Sequence, residues 1–149
     1  MKEYLARSIA GCVFLWMAAL PDLRSQKIPV WIPGSFLAAA VTADLLWPVR
    51  DAQWELWAGA LPGAVLLILS FLLKGKLGEG DGICLAVYGL FTGIAAAVMA
   101  AEAALVLAAL TGGFRLWTGR WKAGDRFAFL PFLAAAGSLI LLAGVSRAL

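Results

Sequence analysis

Two aspartates, Asp22 and Asp81, stand out among the nine acidic residues of this sequence because of the residues that surround them. Asp22 follows Pro21 at the end of an apolar segment, in the stretch PDLRSQKIP. The basic residues Arg24 and Lys27 follow closely, and such cations favour the charged form of a nearby carboxylate. Taken alone, Asp22 is explained at least as well as a helix-end acid balanced by these neighbours.

Asp81 lies in the stretch KLGEGDGICL, among three glycines, Gly78, Gly80 and Gly82. Glycine suits a backbone that turns sharply or that another group must approach closely. The apolar segment that follows predicts a helix starting at or near Asp81, where the helix dipole and free N–H groups stabilise a carboxylate. Taken alone, Asp81 is equally well explained as the N-cap of that helix.

Together the two aspartates suggest acid–base chemistry. Two carboxylates held close together cannot both ionise easily, so they share one proton, and one acts as base while the other acts as acid. Such a pair can activate water against a peptide carbonyl. The sequence has no histidine, and its two cysteines, Cys12 and Cys84, lack the spacing of a metal site. We therefore expect no metal and no cofactor.

The composition indicates that a lipid bilayer surrounds the elements that carry these residues. The chain has 149 residues, of which 63% are hydrophobic and 14% charged, whereas soluble domains are typically about 45–50% apolar and about 25% charged. The net charge of +3 does not indicate nucleic acid, because the basic residues are spread over short loops between apolar segments. In that setting Lys and Arg report membrane topology.

The apolar segments predict an all-α, polytopic membrane protein with about six transmembrane helices in a single domain over residues 1–149. The first segment ends at Pro21, and a break at Thr92–Gly93 divides a long apolar stretch into the fourth and fifth. The segments are residues 4–20, 30–46, 54–73, 83–92, 94–110 and 127–145.

The positive-inside rule predicts the orientation. The loops at 21–28, 74–80 and 112–126 carry eight basic residues, and the other side carries four. This excess predicts that Asp22 and Asp81 face the cytoplasm and that both termini face outward.

The sequence resembles the type IV prepilin peptidases, which are membrane aspartyl proteases that share a GxGD motif with presenilin-like enzymes. Gly78-Glu79-Gly80-Asp81 matches that motif, and the stretch from Asp22 through Arg24 and Lys27 to Pro29 is similar to the family's first-aspartate motif. The PFLA run that begins at Pro131 is similar to a stretch that opens the family's last helix.

The resemblance implies that Asp22 and Asp81 are catalytic and that Arg24, Lys27, Pro29, Gly78, Gly80 and Pro131 are motif or substrate-binding positions. It implies cleavage of the basic leader of a prepilin or pseudopilin at the cytoplasmic face of a bacterial inner membrane. Many relatives also N-methylate the product and carry a cysteine-rich insertion. This sequence shows no cysteine tetrad, so it is similar to a peptidase-only form found with Flp or tight-adherence pili.

The sequence departs from the family pattern at two positions beside these motifs. The family usually has Asn after Ile-Pro, where this chain has Val30, and Lys two residues after the second aspartate, where this chain has Ile83. These departures concern the positioning of substrate. The glycine after the PFLA run also comes one position late, at Gly137.

Two non-enzymatic alternatives remain open from the sequence: an ion-coupled transporter subunit and an inactive pilus or secretion assembly factor. Acids inside apolar segments are functional candidates by default, and Asp44 and Glu102 suit a transporter better than Asp22 does. The sequence does not determine the oligomeric state.

Overall fold

The computed structural model describes residues 2–25, 28–49, 53–72, 78–118 and 128–148. The all-helical fold expected from the sequence is confirmed: every regular element in the described part of the chain is an α-helix. The helices are α1 (Lys2–Ser25), α2 (Trp31–Leu46), α3 (Gln53–Ala58), α4 (Leu61–Leu72), α5 (Glu79–Thr92), α6 (Ile94–Trp117) and α7 (Leu130–Ala148).

Three segments of the described chain are long and apolar enough to cross a membrane, as expected of a polytopic protein. They are Glu3–Ser25, Gln53–Leu72 and Ile94–Arg115, and α2 and α7 add two shorter apolar helices. Many large hydrophobic side chains on these helices face outward, including Trp16, Leu20 and Phe71. In a bilayer such side chains contact lipid rather than water, which removes the cost of exposing them.

The short helix α5 is the centre of the bundle, since it packs against α1, α2, α3, α4 and α6. Its side chains Cys84, Leu85 and Tyr88 are almost fully buried. It ends where predicted, because Gly93 adopts a φ of 85°, a conformation that glycine reaches without strain. The early stop of α5 leaves it only 14 residues long.

Glycines allow α4 and its preceding turn to approach α5 very closely. A Cβ atom at Gly59 would collide with the backbone of Gly89, and one at Gly63 would collide with the backbone of Ala86 and the carbonyl of Gly82. Small residues four apart on facing helices are the usual route to close packing in membranes, where van der Waals contact supplies much of the association energy. This contact fixes α5, and therefore Asp81, against the α4 side of the bundle.

Several helix boundaries differ from the predicted ones, including the start of α5, which is Glu79 rather than residue 83. Helix α1 does not end at Pro21 but continues to Ser25. The missing proline N–H costs one backbone hydrogen bond near the helix end, and the Ser25 hydroxyl donates to the Pro21 carbonyl at 3.0 Å. The third segment is divided at Gly59–Ala60, just before Pro62, and α6 extends past Leu110 to Trp117.

A buried ion pair joins α1 to α2 at the opposite end of the bundle from Asp22. The guanidinium of Arg7 donates to Asp44 at 2.5 Å and to the backbone carbonyl of Trp47 at 2.9 Å. Both charged side chains are more than nine-tenths buried. Arg7, counted above as a basic residue of the outer side, is therefore an internal partner of Asp44.

Candidate functional site

Asp22 lies on the last turn of α1 and is 6% exposed. Its Oδ2 accepts a hydrogen bond from the backbone N–H of Leu130, the first residue of α7, at 3.3 Å. Pro131 occupies the first turn of α7, a position where proline is favoured because its missing N–H would have no helical partner. The positive end of the α7 dipole thus faces the Asp22 carboxylate.

Asp81 lies in the first turn of α5, at the same end of the bundle and outside the three spanning segments. It is not the N-cap considered above: that position belongs to Gly78, and no side chain caps the helix. The backbone N–H of Asp81 donates to the Gly78 carbonyl at 3.1 Å. Its partly buried carboxylate is therefore not used to hold the end of the helix.

The structure brings Asp22 and Asp81 close enough for their charges to interact. Burial first, and then the negative charge of Asp22, raise the pKa of Asp81 to about 7. Both carboxylates also interact electrostatically with the buried thiol of Cys84, one turn further along α5. An acid with such a pKa beside a second carboxyl group can hold and release a proton near neutral pH.

The two glycines of the GxGD motif have different neighbours. A Cβ atom at Gly78 would lie 2.5 Å from the Oδ2 of Asp81, so the carboxylate folds back over the glycine backbone. A Cβ atom at Gly80 would lie 2.5 Å from the Cδ1 of Ile28. Gly78 therefore makes room for the Asp81 side chain, and Gly80 makes room for the residue that precedes Pro29.

The remaining predicted motif residues differ in their exposure. Arg24 is exposed on the last turn of α1, and Pro29 is partly buried just before α2. Lys27 lies outside the described residues. Sequence reasoning missed two participants: the N–H of Leu130, which is a backbone group without a residue-type signal, and the side chain of Ile28. The proline after Leu130, which indicates a helix start, was the available signal for the first.

Asp44 and Glu102, the two acids that suited a transporter, lie away from Asp22 and Asp81. Asp44 is neutralised by Arg7 at the far end of the bundle, and Glu102 is exposed on α6. Within the described ranges, no group of three or more Asp, Glu or Cys residues is arranged to hold a metal ion. Asp44 and Glu102 therefore do not join the Asp22–Asp81 pair.

Comparison with known sequences agrees with this geometry. The sequence model of the type IV leader peptidase family matches residues 9–113. The chain belongs to this family. The matched range contains both Asp22 and Asp81 but stops before α7, so the Leu130 N–H comes from outside it.

A curated protein is also similar to the chain. It is the prepilin leader peptidase/N-methyltransferase of Bacillus subtilis (strain 168), 29% identical over 133 residues. The alignment covers 89% of this chain and 53% of the relative, so the chain spans about half the length of the protein it matches. No solved structure shows significant similarity to the chain.

Proposed function

We propose that this protein is an aspartic endopeptidase that removes the N-terminal leader of prepilins or pseudopilins at the membrane surface. The observation that carries the proposal is the meeting of Asp22 and Asp81 at one end of the bundle, with the charge of one carboxylate acting on the pKa of the other. Membership of the type IV leader peptidase family supports the class of substrate.

The geometry supports a role for each carboxyl group. Around neutral pH Asp81 can carry the proton, because its pKa is raised to about 7. Asp22, held by the N–H of Leu130, takes a proton from water as the water attacks the scissile carbonyl. Asp81 gives its proton to the substrate as the peptide bond breaks. The α7 dipole stabilises negative charge on Asp22 between turnovers.

The test is a comparison of Asp22→Asn, Asp81→Asn and the double variant in membranes, with protein amounts matched. Loss of a positioned acid or base typically costs 10²–10⁴-fold in rate. Because the two groups act as a unit, we expect all three variants to show nearly the same low cleavage of a prepilin. Near-normal cleavage by either single variant would overturn the aspartic mechanism.

Glu102→Gln is the matched control because Glu102 is exposed on α6. We expect it to retain cleavage close to that of the wild type. Asp44→Asn is a poorer control, because it leaves the buried Arg7 guanidinium without its carboxylate and lowers the amount of folded protein. If Glu102→Gln abolished cleavage while the aspartate variants did not, the transporter interpretation would gain support.

The proposal includes three finer statements. The site faces the cytoplasm of a bacterial inner membrane, supported by the excess of basic residues in the loops at this end. We also propose a substrate of the Flp or tight-adherence type, from the resemblance of the sequence to the peptidase-only form of the family. We also propose that the protein does not N-methylate its product, because the sequence lacks the cysteine tetrad of the relatives that do. Mass analysis of a prepilin incubated with protein and a methyl donor should show leader loss alone.

A further inference from the structure

Glu102 is a carboxyl group on the outer surface of a helix that is long and apolar enough to cross a membrane. It lies on α6, within the segment Ile94–Arg115, and its side chain is exposed. Among the residues that the structure describes, none forms a hydrogen bond or an ion pair with it. The proposed peptidase function does not use this carboxyl group, so its position needs another explanation.

The place of Glu102 along α6 puts it deep in a bilayer. It comes eight residues after Ile94 and thirteen before Arg115, which corresponds to about 12 Å and about 20 Å of helix. The hydrocarbon core of a bilayer is about 30 Å thick. A glutamate side chain is shorter than the Lys and Arg side chains that reach the membrane surface from inside. The Glu102 carboxyl group therefore stays in the hydrocarbon.

A carboxyl group that contacts only lipid is unfavourable even when it is uncharged, because its donor and acceptors have no partners there. Acids in membrane-spanning segments almost always face the inside of the bundle or pair with another polar group. Asp44 follows this rule, since it pairs with Arg7 inside the bundle. Glu102 does not follow it within one copy of the chain, which indicates that its partner belongs to another molecule.

The residues around Glu102 form a continuous outward face on α6. They are separated by alternating steps of three and four residues, the heptad spacing with which two helices wind around each other. We call this face the α6 seam; it consists of Ala95, Val98, Glu102, Leu105, Ala109 and Gly112. The first five are exposed, and a Cβ atom built at Gly112 would meet nothing within 4 Å. The described helices of the same copy therefore leave the seam uncovered.

The α6 seam is complementary to the same seam of a second copy. The small residues Ala95, Ala109 and Gly112 lie toward its two ends, where they let two helix backbones approach closely. Copies inserted in one membrane share one orientation, so a two-fold axis along the membrane normal brings the two Glu102 residues to the same depth. An uncharged carboxyl group has one donor and an acceptor, so two of them can each donate to the other.

We infer that the protein forms a parallel homodimer through the α6 seam, in which the Glu102 carboxyl groups of the two copies are hydrogen-bonded to each other. One polar residue in an otherwise apolar seam fixes the register of two helices, because a shift would leave both carboxyl groups unpaired. The interface uses none of the residues around Asp22 and Asp81. The dimer and the proposed peptidase function can therefore fail independently.

Disulfide cross-linking in membranes tests the interface. Leu105→Cys places a thiol in the seam, three residues from Glu102, where two copies would lie within disulfide distance. Val65→Cys is the matched control, because Val65 is 54% exposed, Leu105 is 52% exposed, and Val65 lies in a different apolar segment. The native cysteines stay in place because both are buried, and the protein without an added cysteine is the blank.

Oxidation should convert most of the Leu105→Cys protein, and little of the Val65→Cys protein, into a cross-linked dimer. Equal cross-linking of the two variants would mean random collision and would overturn the inference. A product of Leu105→Cys that contains a different protein would assign the seam to another partner, and the absence of any product would assign it to lipid. Either result would also overturn the homodimer.

The role of the carboxyl group is tested by energy transfer between labelled copies in lipid vesicles. Glu102→Gln keeps a donor and an acceptor and should dimerise as the wild type does. Glu102→Met has nearly the same length but makes no such pair, so the dissociation constant should rise on the order of tenfold. If Glu102→Met dimerises within about twofold of Glu102→Gln, the carboxyl pair does not hold the dimer.

Thermal unfolding in dilute detergent, where the copies are separate, provides the second measurement. Because Glu102 has no partner among the described residues of its own copy, Glu102→Met should leave the Tm of the monomer unchanged. A lower Tm for Glu102→Met than for Glu102→Gln would show that Glu102 has an internal partner. That result would remove the reason for a second copy.

Discussion

Replacement of Gly78 by alanine is the sharpest perturbation that the structure allows at the GxGD motif, because it adds one methyl group beside one catalytic candidate. The backbone of Gly78, with φ −67° and ψ 115°, is open to any residue. The substitution therefore acts through contact rather than through backbone strain. Its Cβ would lie 2.5 Å from Oδ2 and 3.1 Å from Cγ of Asp81.

The expected loss follows from these distances. Ordinary contacts of a Cβ atom begin at 3.4 Å, so the Asp81 carboxylate must move by about 0.9 Å to accept the methyl group. A displacement of about 1 Å at a reacting group can cost on the order of 10²-fold in rate. We expect Gly78→Ala to lower kcat by about that factor while the protein still inserts and folds.

The assay is prepilin cleavage in membranes, with expression and thermal unfolding measured on the same preparations. Gly80→Ala should lose less activity than Gly78→Ala, because the atom that its methyl group would crowd is the Cδ1 of Ile28, at the far end of a flexible side chain. Gly144→Ala meets nothing within 4 Å and should behave as wild type. If Gly78→Ala keeps its kcat within about threefold of wild type, the Asp81 carboxylate is not held over Gly78 as described.

Four further predictions test other parts of the account. The rate of cleavage should fall as the pH rises through about 7, since Asp81 then loses the proton it donates; a pH–rate profile that is flat from pH 6 to 8 would contradict this role. Arg7→Met and Asp44→Leu should each destabilise the protein by about 3–5 kcal/mol, and the double variant by much less, because each single change leaves one buried charge unpaired; a double-mutant cycle of unfolding in detergent measures the difference. Chelators should leave cleavage intact, because the sequence has no histidine and no cysteine cluster; activity lost with a chelator and restored by one metal would refute this. Single cysteines at Ser25 and Thr118, in a background without the two native cysteines, should react with reagents applied to the cytoplasmic side; reaction from the outer side alone would reverse the orientation.

Sequence patterns were sufficient where one residue type has few structural uses. Gly93 was expected to interrupt a long apolar stretch, and its positive φ does so. The glycines around Asp81 were expected to allow a close approach, and the space they leave is filled by Asp81 and Ile28. In both cases the missing side chain was itself the signal.

Patterns failed where the deciding group was a backbone atom or a distant partner. The helix break predicted at Pro21 did not occur, because a proline in the last turns costs one backbone hydrogen bond while the surrounding helix continues. The N–H that approaches Asp22 belongs to Leu130, 108 residues away, and any residue type would supply it. The Arg7–Asp44 pair joins two helices that are far apart in sequence. The sequence alone indicated Arg7 as a basic residue of the outer side and Asp44 as an acid inside an apolar segment, with nothing to connect them.

The two ends of the bundle show why an acid in an apolar helix is not by itself evidence of function. At one end Asp44 has a guanidinium at hydrogen-bonding distance, so its charge is matched and its role is to hold α1 against α2. At the other end a second carboxyl group acts on Asp81, and after burial its negative charge helps to raise the pKa of Asp81 to about 7. An opposite charge fixes an acid in one protonation state, whereas a like charge leaves a proton that can be moved. The chemical candidates are therefore Asp22 and Asp81, because the charge that acts on the pKa of Asp81 is of its own sign.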